Sequence, residues 1–285
     1  MDTELLKSFL TLVRLESFTL AAKELQLTQP ALSKRIKRLE TIIGSNLFDR
    51  VGNQVALTQA GELLAQKAPQ LLNNINNSIQ EIRDLSGRTS GHLNIATSHY
   101  IGLHYLPWHL EQFVSEFPQV DLNIDFIDSG LAYEQVLSGD IELAMVTFPH
   151  TQDPRLKHLK VWQERMQIAC HPAHPLTNEP DPITALANYT SLLPPAHTFP
   201  RELFEHNLQE LGAAHGRVKT ANYLEVIAKL AASKMGWTIL PEALIEPPLI
   251  ALTHETNSFR QMGIIHRSNK SLSNAAKAFI NLLQT

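Results

Sequence analysis

The chain has 285 residues with 24 Lys and Arg against 28 Asp and Glu, a formal charge of −4, and 44% hydrophobic residues. That suits two or three folded domains and excludes a disordered or fibrous chain. One cysteine, Cys170, excludes an internal disulfide framework. The opening Met1-Asp2-Thr3-Glu4 is acidic where a secretory signal needs basic residues, and no run approaches the ~20 apolar residues of a membrane span, so a cytoplasmic protein with no membrane association is expected.

The charge is uneven. Residues 1–90 carry 11 basic and 9 acidic side chains, whereas residues 91–285 carry 13 and 19, and all 13 histidines lie in the second part. A small basic module therefore precedes a larger acidic body. Leu5, Leu6, Phe9, Leu10, Leu12 and Val13 recur at helical spacing over Glu4 to Leu15. Ser17 is placed to cap a second short helix and Thr28 a third, with Pro30 in the first turn, where a missing N–H costs little. On the third helix Leu32, Ile36 and Leu39 form an inward stripe, and Gln29, Ser33, Lys34 and Lys37 face the other way. Two short helices joined by a tight turn, the second polar and basic outside, form a helix-turn-helix.

Two short extended pieces, 46–50 and 52–57, flank a Gly52-Asn53 turn and predict a wing. From Thr58 the pattern is helical again. Leu57, Gly61, Leu64, Ala68, Leu71, Ile75, Ser78, Ile82 and Leu85 follow a 4-3-4-3 spacing, a coiled-coil seam with Pro69 predicting a bend. The segment 86–91 then has hinge composition. Beyond it strands alternate with helices: 92–97, a helix through Leu103 to Phe117, 120–126, a helix near Ala132 to Ser138, then 141–146. A second round begins near Met166 to Cys170 and includes a strand at Thr190 to Leu193, a helix from Tyr223 to Lys234 and a strand at 237–241. The pattern predicts two α/β lobes with a largely parallel sheet.

The residues Ser17-Phe18-Thr19, Ala21-Ala22, Leu25, Thr28-Gln29-Pro30-Ala31-Leu32-Ser33, Ile36, Leu39-Glu40, Gly44, Leu47-Phe48, Arg50, Leu57-Thr58 and Gly61 together resemble the LysR-type transcriptional regulators. Weaker matches follow at Phe117-Pro118, 139–144, His174-Pro175-Leu176 and 236–241, so the resemblance covers essentially the whole chain. It implies a winged helix-turn-helix over 1–58, a dimerising linker helix over 59–88 and an effector-binding half over 91–285. In that half, two α/β lobes similar to periplasmic binding proteins hold a small effector between them; lobe one covers about 91–163 and 264–285, lobe two about 164–263. Homodimers or homotetramers on double-stranded promoter DNA are implied, with RNA polymerase as a further candidate partner.

An α-helix fits the major groove, where Gln29 can pair with adenine, Lys34 with guanine, and Ser33 with either donors or acceptors. Thr28 and Pro30 open the same helix. Arg35, Lys37, Arg38 and Arg50 have the reach and charge for phosphates. Against this, a charged run on a helix is often only a solvated face, and the apolar seam could pack on its own lobe. In the second half, ligands of two-lobed α/β proteins sit at the carboxyl ends of strands. This nominates Thr97, Ser98 and His99, Ser129, Thr147 and Phe148 from lobe one, and Thr198, Phe199 and Tyr223 from lobe two. Serines and threonines there can equally be plain helix caps.

No cofactor, metal or catalytic set is expected. His99, His104 and His109 recur every five residues, a rotation of ~140° about a helix that cannot converge on one ion. Cys170, His171 and His174 lie in a strand and a Pro-rich turn, and Asp125, Asp128 and Asp140 form no catalytic pair by spacing. The competing reading is a small-molecule binding protein or α/β enzyme with an accessory helical N-terminus.

Overall fold

The computed structural model describes residues 2–51, 54–85, 87–196, 198–252 and 259–284. The chain divides into two compact units, Met1–Arg83 and Asp84–Thr285.

In the first unit α1 (Thr3–Leu15), α2 (Phe18–Glu24) and α3 (Gln29–Ile43) each begin at a side-chain cap, from Asp2, Ser17 and Thr28 respectively. Gly44 closes α3 at φ 79°, a left-handed conformation that glycine adopts without strain. Leu5, Leu6, Phe9 and Leu12 from α1 meet Ala21 and Ala22 from α2 and Leu32, Ile36 and Leu39 from α3 in one core. The two alanines permit close helix contact. Strands β1 (Phe48–Val51) and β2 (Gln54–Leu57) pair antiparallel, Phe48 opposite Leu57, as the predicted wing. The Gly52-Asn53 turn lies outside the described residues. Phe48 is seated against Phe9 and Phe18, with ring centroids 5.4 and 6.4 Å away, which fixes the wing to the helices.

Helix α4 (Gln59–Asp84) runs unbroken through Pro69. Its seam divides in two. Its members Leu57, Leu64 and Ala68 pack on the first unit's own core, as does the neighbouring Leu72, with Ala68 completely buried. A Cβ at Gly61 would lie 2.1 Å from the Leu47 carbonyl oxygen, so Gly61 permits a close backbone approach rather than weakening a coiled coil. Among the apolar seam positions exposure begins at Leu71 and continues through Ile75, Ile82 and Leu85, with Ile79 exposed beside them. The exposed part of the stripe is therefore about half of the four heptads expected for the seam, because the first four turns or so of α4 complete the winged domain.

The second unit opens with β3 (Gly91–Thr97), then α5 (His99–His104) and α6 (Leu106–Glu116). The single helix expected there is two, broken at Tyr105, since Pro107 in the first turn of α6 cannot donate back to the preceding turn. Next come β4 (Val120–Phe126), α7 (Ser129–Ser138), β5 (Leu143–Thr147) and the 15-residue β6 (Leu156–Cys170). Then follow α8 (Pro182–Ala185), β7 (Ser191–Leu193), α9 (Phe199–Glu210), β8 (Val218–Thr220) and α10 (Leu224–Ala232). The unit ends with β9 (Thr238–Pro241), β10 (Ile250–Ala251), β11 (Phe259–Arg267) and α11 (Asn274–Leu283).

The main sheet has the order β10-β6-β11-β5-β3-β4, with β9 also on β6. It is mixed rather than largely parallel. β3 is parallel to β4 and β5, and β7 to β8, but β11 runs antiparallel to β5 and β6, and β6 antiparallel to β9 and β10. The reason is β6 itself, which spans ~50 Å at ~3.3 Å per residue. Its first part pairs with β11 in one lobe and its last residues pair with β9 and β10 in the other. Because β11 returns beside it, the lobes are joined by two long antiparallel strands rather than by helical crossovers.

Candidate nucleic-acid interface and ligand cleft

Thr28 accepts a hydrogen bond from Ala31 N at 3.3 Å, so its hydroxyl starts α3. Gln29, Pro30, Lys34, Lys37 and Arg38 are exposed and Ser33 half-exposed on the face opposite the buried Leu32, Ile36 and Leu39. Arg35 differs from its basic neighbours. Its Nη1 donates to Ser8 Oγ at 3.2 Å and approaches Glu4 Oε2 at 3.4 Å, so this guanidinium ties α3 to α1. Glu40 turns inward too, accepting from Leu47 N at 2.8 Å and bracing the loop that enters the wing. The Arg50 side chain lies outside the described part of the structure.

The second unit holds a cleft of about 400 Å³ between its lobes. Ser98, His99, Ser129, Thr147, Thr198 and Tyr223, all nominated from sequence, line it. Three other nominated residues do not. Thr97 is fully buried and its hydroxyl donates to the Ser98 carbonyl at 3.3 Å, Phe148 packs edge-on to His158, and Phe199 packs edge-on to Tyr133. Each stands one residue from a lining position, and strand and helix geometry aim adjacent side chains in different directions.

Several lining groups are also caps. Ser98 accepts from Ile101 N at 3.5 Å, and Thr198 accepts from Arg201 N at 3.4 Å while donating to Pro195 O at 2.9 Å. Asp128, which caps α7 by accepting from Gly130 N at 2.7 Å, brings Ser129 to the wall. Tyr223 precedes α10 with no side-chain cap, and its ring rests on His99 at 4.5 Å. Gly102 permits another close approach: a Cβ there would fall 2.3 Å from the Phe126 ring, which forms part of the rim.

Sequence reasoning missed the floor of the cleft. Arg260, 1% exposed, reaches in from β11. Its Nη2 donates to Glu164 Oε2 at 2.5 Å, and its guanidinium lies 4.3 Å from the Tyr100 ring centroid. Glu164 Oε1 accepts from the hydroxyls of Tyr100 at 2.6 Å and Tyr105 at 2.5 Å. Burial, then the adjacent carboxylate, raise both phenols well above their ordinary range, which keeps them as donors. No sequence pattern links residues 100, 105, 164 and 260; the pairing of β6 with β11 sets Glu164 opposite Arg260, and α5 with its C-terminal cap brings Tyr100 and Tyr105 to them. Glu225, from the first turn of α10, was missed for the same reason. Its Oε1 meets His104 Nε2 at 3.0 Å.

Among the described residues no three His, Cys, Asp or Glu side chains gather as a metal site, and no helix is long and apolar enough to cross a membrane. Residues 3–62 match the family model described as bacterial regulatory helix-turn-helix protein, lysR family, and residues 86–285 match the LysR substrate binding domain. The uncharacterized HTH-type transcriptional regulator YwqM of Bacillus subtilis is 28% identical over 99% of this chain and 98% of its own. The uncharacterized HTH-type transcriptional regulator YybE of the same organism is 30% identical over 178 residues, 62% of this chain and 61% of its own length. Full-length CbnR, solved in complex with its target DNA, is 20% identical with a TM-score of 0.74 over 100% of this chain and 99% of its own, a likeness of fold. With both family models matched in order and together covering nearly its whole length, this chain belongs to the LysR family of transcriptional regulators and is a DNA-binding regulator with an effector-binding domain rather than an enzyme.

Proposed function

We propose that α3 reads operator DNA in the major groove, with Gln29, Ser33 and Lys34 at base edges and Lys37 and Arg38 on phosphates, joined by Arg50 from the wing. The supporting observation is the two-sided character of α3, buried through Leu32, Ile36 and Leu39 and exposed along its basic face. Arg35 acts within the fold, because its guanidinium is engaged with Ser8 and Glu4. A small effector occupies the cleft, bounded by Ser98, Ser129, Thr147, Thr198 and Tyr223. Two chains pair along the exposed stripe from Leu71 to Leu85, which doubles the phosphate contacts and sets half-site spacing. The regulator works in the cytoplasm, where its operator and RNA polymerase are.

Linkage requires that an effector altering DNA affinity bind the two arrangements of the dimer unequally. The test is DNA affinity against salt, measured on an operator obtained by selection from random sequence. Arg38→Ala should weaken all sequences alike and lower the salt slope by about 1, whereas Ser33→Ala should cost about 1–3 kcal/mol on the operator and relax its sequence preference. Unchanged affinity in both variants removes α3 from the interface.

A further inference from the structure

Two groups of opposite charge line this cleft, Arg260 from β11 where it pairs with β6 at the lobe junction and Glu225 from α10, and each has a polar atom without a partner among the described residues. Arg260 is almost wholly buried, yet its Nε has no hydrogen-bond partner among the described residues. Glu225 spends Oε1 on His104, while its Oε2 is buried and likewise unpartnered. An unmade hydrogen bond at a buried charged group is costly, and a bound molecule carrying both an acceptor and a donor removes both deficits.

The charge on the walls narrows the class further. Asp128 and Glu225 line the cleft, and the guanidinium of Arg260 is already matched by Glu164. A simple anion would gain Arg260 and face two carboxylates; a simple cation would satisfy Glu225 and leave Arg260 Nε bare. A molecule with both charges meets both walls. The remaining surface is aromatic, from Phe126 and Tyr223, each about half exposed, and suits an apolar side chain. We propose that the effector of this cleft is a zwitterion of amino-acid type, its carboxylate bound by Arg260 and its ammonium by Glu225. The proposal rests on the effector reading of the cleft and names its ligand class.

The test is titration calorimetry of the full-length chain with the standard amino acids as probes. Each binder is compared with its des-amino carboxylic acid and its decarboxylated amine. At least one amino acid should bind about tenfold or more tighter than both truncated analogues. Glu225→Gln should abolish the preference over the des-amino acid, and Asn222→Trp, a bulky change at an exposed lining position, should block binding. A des-amino acid or amine that binds as tightly as its parent overturns the proposal, as does binding that survives Asn222→Trp. Simple carboxylates blocked by Asn222→Trp, with no amino acid bound, overturn the zwitterion class while leaving the cleft as the effector site. Amino acids that bind and are blocked, yet leave operator affinity unchanged, support the ligand class and count against its regulatory role.

Discussion

Replacing Glu164 by Gln probes the joint between the lobes, because it keeps the shape of the side chain while removing its charge and turning one acceptor oxygen into an N–H donor. In the native cluster the Glu164 side chain is 9% exposed and that of Arg260 is 2% exposed, with Nη2 and Oε2 2.5 Å apart. The amide retains an oxygen for the tyrosine hydroxyls but leaves the buried guanidinium without an anion and with an N–H donor where it had an acceptor. Removing one partner of such a pair costs about 3–5 kcal/mol, and the retained acceptor places this variant near the lower end, at about 3 kcal/mol. For a unit of this size each kcal/mol shifts the melting temperature by about 2–4 °C, so a fall of roughly 6–12 °C is expected. Differential scanning calorimetry of the full chain should show that fall in the transition of the second unit, with the first unit unaffected. Adding Arg260→Met removes the stranded cation, so the double variant should be more stable than Glu164→Gln alone. A loss below about 1 kcal/mol, or a double variant as unstable as the sum of the singles, would refute the assignment of this cluster as a coupled, desolvated joint.

Arg35→Ala should lower the stability of the first unit by about 1 kcal/mol through loss of its bonds to Ser8 and Glu4 and leave the salt dependence of DNA binding intact; a flattened slope would place Arg35 on phosphate. Leu71→Glu with Ile75→Glu changes residues that are 39% and 36% exposed in the single chain, so sedimentation should show smaller species while both melting transitions stay in place. An unchanged oligomer would assign the stripe elsewhere. Burial lowers the pKa of His109, His158, His174 and His266 below the usual 6.5. The unfolded chain then binds protons that the folded one refuses, so this stability is present above pH 6.5 and declines as pH falls below it, by up to about 1.4 kcal/mol per pH unit for each proton taken up. A melting temperature of the second unit that stays flat from pH 7.5 to 5.5 would contradict this.

Local rules made the DNA-binding unit legible in the sequence. The caps at Ser17 and Thr28, the inward stripe Leu32, Ile36 and Leu39, and the outward basic face are separated by a few residues, so helix geometry alone relates them. The strand-end residues of the cleft followed similarly, since an α/β alternation places those ends on one side of a sheet. What the period could not resolve was direction one residue at a time, which is why Thr97, Phe148 and Phe199 turn into packing while their neighbours line the cleft. The division of the α4 seam, with Ala68 inside one domain and Leu71 outside it, depended on where the wing docks, a contact between segments rather than a pattern within one. The floor of the cleft lay furthest from sequence reading. Glu164 and Arg260 are 96 residues apart and read singly as surface charges; they meet because β6 and β11 pair across the lobe junction, and burial there binds the carboxylate and guanidinium to each other.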